Sequence, residues 1–423
     1  MVRILYRFII IPLILSLAKV FALFNHDINE GLKKRRHVIN DLIKWLESSD
    51  RKNKRVLFHS ASLGEFEHIK PVLQGLKDKY QTLNIITFFS ASGYENVKNS
   101  DGLDYFSYTP IESFAAWEKF YSILKPVFLV IAKHDVWPGQ VWTAQKLGIP
   151  VFLVNASLSE NSSRRQRTVA WFLSSVYRSL SHIFAISEED ADRFRLSYHL
   201  DNVSYLGDTK YDQVIHRRNV AKQQNLLSNK WRNNQVVIVL GSIWPEDEQQ
   251  IFPALKLILK RYENVKLIIV PHEPNENHLN LISREFKSWD ILRFSNRQRL
   301  NQQRIILVDQ IGFLAGLYLF ADFAYVGGSF KQGIHNTMEP AIFGVPVIYG
   351  PVHRNSYEAI RLAGSNGGII INDEKEAYNI FTELIRKSEL RTELGQQALS
   401  FAERNTGATQ KLLDIWHNFL VEQ

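Results

Sequence analysis

Apolar positions along this chain come in short runs, each ending in small or turn-forming residues and followed by a helical pattern. The first series is VLFHSAS (Val56 to Ser62), LNIITFFS (Leu83 to Ser90), PVFLVIA (Pro126 to Ala132), PVFLVNA (Pro150 to Ala156) and SHIFAIS (Ser181 to Ser187). Helical patterns fall at Glu65 to Tyr80 and around Arg164 to Leu180. A second series runs VVIVLGS (Val236 to Ser242), VKLIIVP (Val265 to Pro271), RIILVDQ (Arg304 to Gln310), FAYVGGS (Phe323 to Ser329) and VPVIYGP (Val345 to Pro351). Helices are predicted near Asp373 to Ile385, Leu390 to Arg404 and Ala408 to Leu420, with Gly407 as a C-cap between the last two. Such alternation predicts α/β architecture, parallel sheets with helices on both faces. The polar stretch 212–234 reads as a linker. The expected organisation is therefore an N-terminal segment 1–37, a Rossmann-like domain 38–211, the linker, and a second doubly wound domain 235–423. Two such domains imply a ligand cleft at the carboxyl ends of their sheets.

The N-terminal segment departs from this rhythm. FIIIPLILSLAKVFALF, residues 8–24, is apolar apart from Ser16 and Lys19, and Lys33-Lys34-Arg35-Arg36 follows shortly after. A spanning helix needs about 20 apolar residues, so the run is short for that. Three readings stand: an anchor or interfacial helix on a cytoplasmic membrane face, a cleaved signal peptide, and a buried helix of the first domain. Basic residues C-terminal to the run would keep the body of the protein inside.

Composition narrows the chemistry. The 423 residues are 45% hydrophobic and 22% charged, which is ordinary for a folded protein. The absence of cysteine excludes disulfides, thiolate metal sites and a cysteine nucleophile. A net charge of +8 favours anionic partners: phosphorylated metabolites, nucleic acid or an anionic membrane surface. There is no G-x-G-x-x-G, no G-K-[ST] phosphate loop, no G-x-S-x-G and no H-E-x-x-H. Asp190-Ala191-Asp192 has the form of a metal-binding D-x-D, but Ser187-Glu188-Glu189-Asp190 reads better as a capped helix start with acids at the positive end of its dipole.

Two places combine a strand end with reactive groups. Ser62-Leu63-Gly64-Glu65 closes a strand and opens a helix. It reads either as a capping box, S-x-x-E, or as a site where Glu65 accepts a proton from a bound hydroxyl. As a first-turn acid, Glu65 is expected to have a lowered pKa. In the second series, Gly241-Ser242 and Gly327-Gly328-Ser329 end strands and offer backbone N–H groups to a phosphate. Downstream, Asn336 and Glu339 are three apart, share a helical face, and suit the two hydroxyls of a ribose.

Taken in order, H-S-A-S-L-G-E, W-P, N-A-S-L-S, G-D-T-K-Y-D, G-S, V-P-H, V-D, F-A-Y-V-G-G-S-F and H-N-T-M-E-P-A resemble the Kdo (3-deoxy-D-manno-octulosonic acid) transferases of lipopolysaccharide inner-core synthesis. The resemblance covers nearly the whole chain. It implies a GT-B fold, a CMP-Kdo donor, a lipid A precursor (lipid IVA) as acceptor, and an inverting enzyme with no cofactor, metal or nucleic-acid partner. The implied location is the cytoplasmic face of the inner membrane, reached through the N-terminal segment. Glu65 matches the general base and Lys210 a transition-state-stabilising lysine. Pro271, His272, Gly312, Phe313, Leu314, Asn336, Thr337, Met338 and Glu339 match CMP-binding segments, to which Ser242, Gly328 and Ser329 add their turns. Arg164 and Arg165, with Arg167 nearby, are candidates for acceptor phosphates. The family's E-T-E-x-W-P is here Lys133-His134-Asp135-Val136-Trp137-Pro138, so Asp135 keeps one acid and Lys133 replaces the other. The family's V-P-R-H is here Val270-Pro271-His272-Glu273, without its arginine. Two alternatives remain at this point: a GT-B enzyme using a UDP-sugar, and a non-enzymatic binder of membrane lipids.

Overall fold

The computed structural model describes the chain except residues 1, 50–51, 98–99, 225, 233 and 422–423. Its described residues form two compact units, 1–213 with 406–423, and 214–405.

The first unit is built on β1 (Arg55–Ser60), β2 (Leu83–Phe88), β3 (Tyr105–Tyr108), β4 (Phe128–Ala132), β5 (Val151–Ala156), β6 (His182–Ala185) and β7 (Val203–Tyr205). Their order is β3-β2-β1-β4-β5-β6-β7, every pair parallel. Alternate residues face opposite sides of the pleat. Leu57, Leu129 and Leu153 thus enter one core, while Val56, Phe58 and Val130 enter another. With both faces covered, the central strands read as unbroken apolar runs. The strand order reverses between β1 and β4, the point where such folds place ligands.

The second unit repeats the plan with β8 (Val236–Ile243), β9 (Val265–Pro271), β10 (Ile291–Arg293), β11 (Ile305–Leu307), β12 (Phe323–Val326), β13 (Val347–Tyr349) and β14 (Gly368–Ile370). Their order is β10-β11-β9-β8-β12-β13-β14, again all parallel, with reversal between β8 and β12.

Three sequence expectations need correction. The polar stretch 212–234 is no free linker: helix Lys210–Gln223 runs into it, and Leu226, Leu227 and Trp231 are buried against the second sheet. Residues 406–423 leave the second unit and pack on the first. There Leu412, Leu413, Trp416 and Leu420 join the core of Val56 and Phe58. Trp416 lies over Phe128 and Phe152, with ring centroids 4.9 and 5.5 Å away. Gly407 is at the N-cap of helix Ala408–Ile415 with φ +94°, rather than capping the preceding helix. Its N–H, like that of Thr409, donates to Asp212, at 2.6 and 2.7 Å.

Residues Val2–Ala22 form a continuous helix of 21 residues with mean hydropathy 2.1, long and apolar enough to cross a membrane by length and composition. One stripe docks on the first unit. Tyr6 and Ile11 are buried in its core, and the Tyr6 hydroxyl donates to Glu112 Oε1 at 2.8 Å. The same oxygen accepts the Gly139 N–H at the start of helix Pro138–Lys146. Phe8, Ile9, Leu13, Leu17, Val20 and Phe21 remain exposed.

Candidate functional site

At the reversal point of the first sheet, β1 delivers Glu65 and β4 delivers Lys133, His134 and Asp135. The capping box is not formed: Ser62 is the N-cap of helix Leu63–Tyr80, yet its side chain makes no capping bond. Glu65 Oε2 instead accepts the Ala61 N–H at 2.7 Å, and Oε1 lies 3.8 Å from His134 Nδ1. Burial pushes the Glu65 carboxyl above its ordinary range, and the nearby Asp135 charge adds to this. The lowering expected from the helix dipole is outweighed, because a desolvated carboxylate loses more than a helix terminus returns.

Asp135 behaves oppositely. Burial is the largest influence and opposes ionisation, but the hydrogen bond and charge of His59 prevail and hold it below the usual range. His59 Nε2 is 2.9 Å from Asp135 Oδ2, and its other ring nitrogen is 3.2 Å from Thr87 Oγ1. His59 is wholly buried on β1. Sequence reading gave it no role, although it stands in the quoted motif. His134 is shifted down by burial, then by the charges of Arg164 and Lys133. Environments thus push two neighbouring carboxyls apart, which is how acid–base roles are separated. Lys133 and Asn155, at the ends of β4 and β5, have φ of +65° and +57°. Left-handed backbone at non-glycine positions costs of order 1–3 kcal/mol and concentrates at functional sites.

Lys210 opens helix Lys210–Gln223, just past the loop that follows β7. Asn155 holds that loop, its Oδ1 accepting the Thr209 N–H at 3.0 Å and its Nδ2 donating to Thr209 Oγ1 at 2.8 Å. The Thr209 hydroxyl donates to the carbonyl of His68, on the face of the helix one turn beyond Glu65. Lys210 Nζ lies 3.5 Å from Asp208 Oδ2. Of the two arginines expected together, Arg164 donates to the Ser157 carbonyl at 2.7 Å and acts on His134. Arg165 turns away, donating to Ser197 Oγ at 3.1 Å and the Glu160 carbonyl at 2.6 Å.

In the second unit, a cavity of about 170 Å³ at the reversal point is lined by Ser242, Leu314, Tyr318, His335, Asn336 and Glu339, among others. Ser242 belongs to β8 with φ +52°, and the following helix starts only at Pro245. The two turns that frame the cavity approach so closely that a Cβ on Gly327 would meet the Ser242 carbonyl oxygen at 2.2 Å. Asp247, unnoticed in the sequence, fastens them. Its Oδ2 accepts the N–H groups of Trp244 (2.9 Å) and Gly328 (2.7 Å), and Oδ1 accepts the Tyr325 hydroxyl (2.7 Å).

Asn336 precedes helix Met338–Ala341, its Oδ1 accepting the Met338 N–H at 3.0 Å. Glu339 is buried and raised in pKa by desolvation, with Arg217 acting in the other direction through a direct ion pair. Arg217 comes from the stretch read as linker, so its role was hidden. His272 stacks between Trp244 and His335, both centroids 4.5 Å away, and Trp244 Nε1 donates to His335 Nε2 at 2.8 Å. Burial and the facing His272 lower His335 to about 4.

Other expected donor residues are engaged elsewhere. The Gly328 N–H is taken by Asp247 rather than held open for a phosphate. Ser329 is buried, donating to the Val326 carbonyl and accepting the Gly350 N–H. Pro271, Thr337 and Met338 are buried. Gly312 has φ +96°, and Phe313 packs on Phe294 and under Arg297.

Two units of this type, each with its ligand point at the sheet reversal, define the class: the chain has the GT-B glycosyltransferase fold. UDP-GlcNAc 2-epimerase from Neisseria meningitidis matches with TM-score 0.60 at 15% identity, covering 86% of this chain and 100% of that one. MurG from Acinetobacter baumannii matches with TM-score 0.54 at 14% identity, covering 86% and 99%. At those identities the likeness is one of fold. Family evidence comes from sequence. Residues 31–213 match the model of the family described as 3-deoxy-D-manno-octulosonic-acid transferase (kdotransferase). The 3-deoxy-D-manno-octulosonic acid transferase of Haemophilus influenzae is 28% identical over 373 residues, 86% of this chain and 87% of its own. That of Aquifex aeolicus is 29% identical over 340 residues, 79% and 87%. By sequence, then, the chain is similar to the Kdo transferases, a family of glycosyltransferases.

Proposed function

We propose that this chain transfers Kdo from CMP-Kdo to a lipid A precursor, lipid IVA, with inversion at the anomeric carbon and Glu65 as general base. The observation that carries the reading is Glu65 itself. It is a buried carboxylate at the reversal point of the sheet, raised in pKa and held by one backbone N–H rather than spent in a capping box. In this reading the acceptor hydroxyl gives its proton to Glu65 as its oxygen bonds to the anomeric carbon of Kdo. CMP departs with the electrons of the broken bond. Lys210 stabilises the charge that grows on the departing phosphate, and Arg164 meets acidic groups of the acceptor. Asp135, fixed by His59, stays ionised beside Glu65 and keeps its proton affinity high. Asn336 and Glu339 accept the ribose hydroxyls of the donor, and Ser242 borders its phosphate.

The N-terminal helix is read as lying on the cytoplasmic face of the inner membrane. Tyr6 and Ile11 fasten it to the first unit, and its exposed apolar stripe is left for the bilayer.

Incubation of the purified protein with CMP-Kdo and lipid IVA, followed by mass spectrometry of the lipid, tests the proposal. Gain of Kdo on the lipid, with release of CMP, is expected. Absence of product with CMP-Kdo, or transfer from a UDP-sugar instead, refutes it.

A further inference from the structure

A second cavity lies on the first unit away from Glu65. It has a volume of about 790 Å³, and four arginines line it: Arg3, Arg165, Arg167 and Arg178. They come from separate elements: the apolar N-terminal helix, the turn Ser163–Arg165, and the two ends of helix Arg167–Tyr177. No aspartate or glutamate lines the cavity, and none pairs with these four guanidinium groups among the described residues. Arg193 and Arg195, on the next helix, do pair with Asp190 and Asp192. Neutral groups aim the arginines instead. Arg3 donates to Gln145 Oε1 at 2.6 Å and Ser179 Oγ at 3.4 Å, and Arg178 to the Tyr198 carbonyl at 3.5 Å. Four converging cations without a counter-charge repel one another, so an anion that accepts several N–H donors would relieve them, as phosphate oxygens do.

The surroundings specify what carries that anion. Val2 and Arg3 of the wall open the helix whose following residues Ile4, Leu5, Phe8 and Ile9 are exposed. Trp171, also on the wall, is half exposed, an amphipathic ring of the kind that sits at headgroup depth. A phosphate on an amphiphile is therefore favoured over a free one. None of Glu65, His134, Asp135 or Lys210 lines this cavity, so an amphiphile held here is not presented to the proposed base.

We propose that this cavity binds the phosphate headgroup of an anionic bilayer phospholipid, a lipid site separate from the one that performs transfer. Arg3, Arg165, Arg167 and Arg178 supply its cations, and Trp171 its amphipathic ring.

The test uses the full chain and sedimentation with vesicles of phosphatidylcholine alone or doped with phosphatidylglycerol. Phosphatidylglycerol should raise partition of the unaltered protein. The double variant Arg167→Gln/Arg178→Gln should lose about 25-fold of that gain, at about fivefold for each basic residue near an anionic leaflet. Arg167→Lys/Arg178→Lys keeps the charge but not the planar forks, and should recover only part. Melting curves check folding, and Arg167→Gln alone, at an exposed position, serves if the double variant is unstable. An unchanged phosphatidylglycerol effect, or full recovery by lysine, overturns the proposal. So does calorimetric binding of inorganic phosphate that the variants abolish while vesicle partition stays the same, because the site would then serve a soluble anion.

Discussion

Replacing Arg217 with alanine isolates the donor side. Its guanidinium pairs with Glu339, whose side chain is 11% exposed against 40% for Arg217. Removing one partner of a fully buried pair costs about 3–5 kcal/mol, whereas exposed pairs contribute about 0–1. With one end at the surface, about 1–2 kcal/mol is the reasonable expectation. The loss falls on ionisation of Glu339, which burial already disfavours and Arg217 supports. Arg217→Ala should therefore raise the Glu339 pKa further. A protonated carboxyl accepts ribose hydroxyls poorly, so CMP affinity near neutrality should drop about tenfold, the equivalent of about 1.4 kcal/mol. Two pH trends should then oppose each other. Affinity that needs the carboxylate returns as pH rises through the raised pKa. Stability moves the other way: a carboxyl whose folded pKa lies above its unfolded one is stabilising below the unfolded value and loses that contribution as pH climbs through the folded one. Calorimetric titration with CMP and melting curves, each at several pH values, read both. CMP affinity that is unchanged in the variant and flat with pH would refute the role given to Glu339.

Trp416→Ala should cost about 3–5 kcal/mol, as for other buried large-to-small changes. Limited proteolysis should show the first unit, not the second, becoming labile, and the reverse pattern would contradict the packing of residues 406–423. Phe8→Gln, Leu13→Gln and Phe21→Gln together remove exposed apolar side chains that touch no core. Each such side chain is worth about 1.5–3 kcal/mol when buried. Membrane partition should therefore fall steeply with little change in melting temperature, and unchanged partition would exclude the exposed stripe as the anchor.

What the sequence conveyed followed burial. The ten strands recognised as apolar runs are the inner strands of both sheets, covered on both faces. The four that went unseen, β3, β7, β10 and β14, are the four sheet edges. They have only three or four residues each and are half exposed, so no continuous run marks them. Spacing also failed where a few apolar residues in a polar stretch carry the packing. Leu226, Leu227 and Trp231 lie among polar neighbours, mostly asparagine and glutamine, and the stretch read as a linker also supplies Arg217. At the site, Glu65 and Ser242 were legible as candidates because a doubly wound sheet puts its ligands just past its strand ends, Glu339 was singled out by its spacing from Asn336, and Asp135 only by the family resemblance. Their partners were not legible. His59, Asp247 and Arg217 act through contacts between segments far apart in sequence, and the shift of Glu65 depends on burial that local spacing does not encode.

The central claim is that Glu65 takes the acceptor's proton, and Glu65→Gln tests it directly. Glutamine can keep the acceptor for the Ala61 N–H, and it removes a carboxyl whose ionisation burial disfavours, so the melting temperature should hold or rise slightly. CMP affinity should be unchanged, because the residues assigned to CMP belong to the other unit. Turnover of CMP-Kdo with lipid IVA should fall about 10²–10⁴-fold, the usual contribution of general-base catalysis. The residual rate should lose the acid limb that Glu65 imposes on the unaltered enzyme, a limb placed above the ordinary carboxylate range. A folded Glu65→Gln protein that turns over at a near-normal rate, with the same acid limb, would contradict the account.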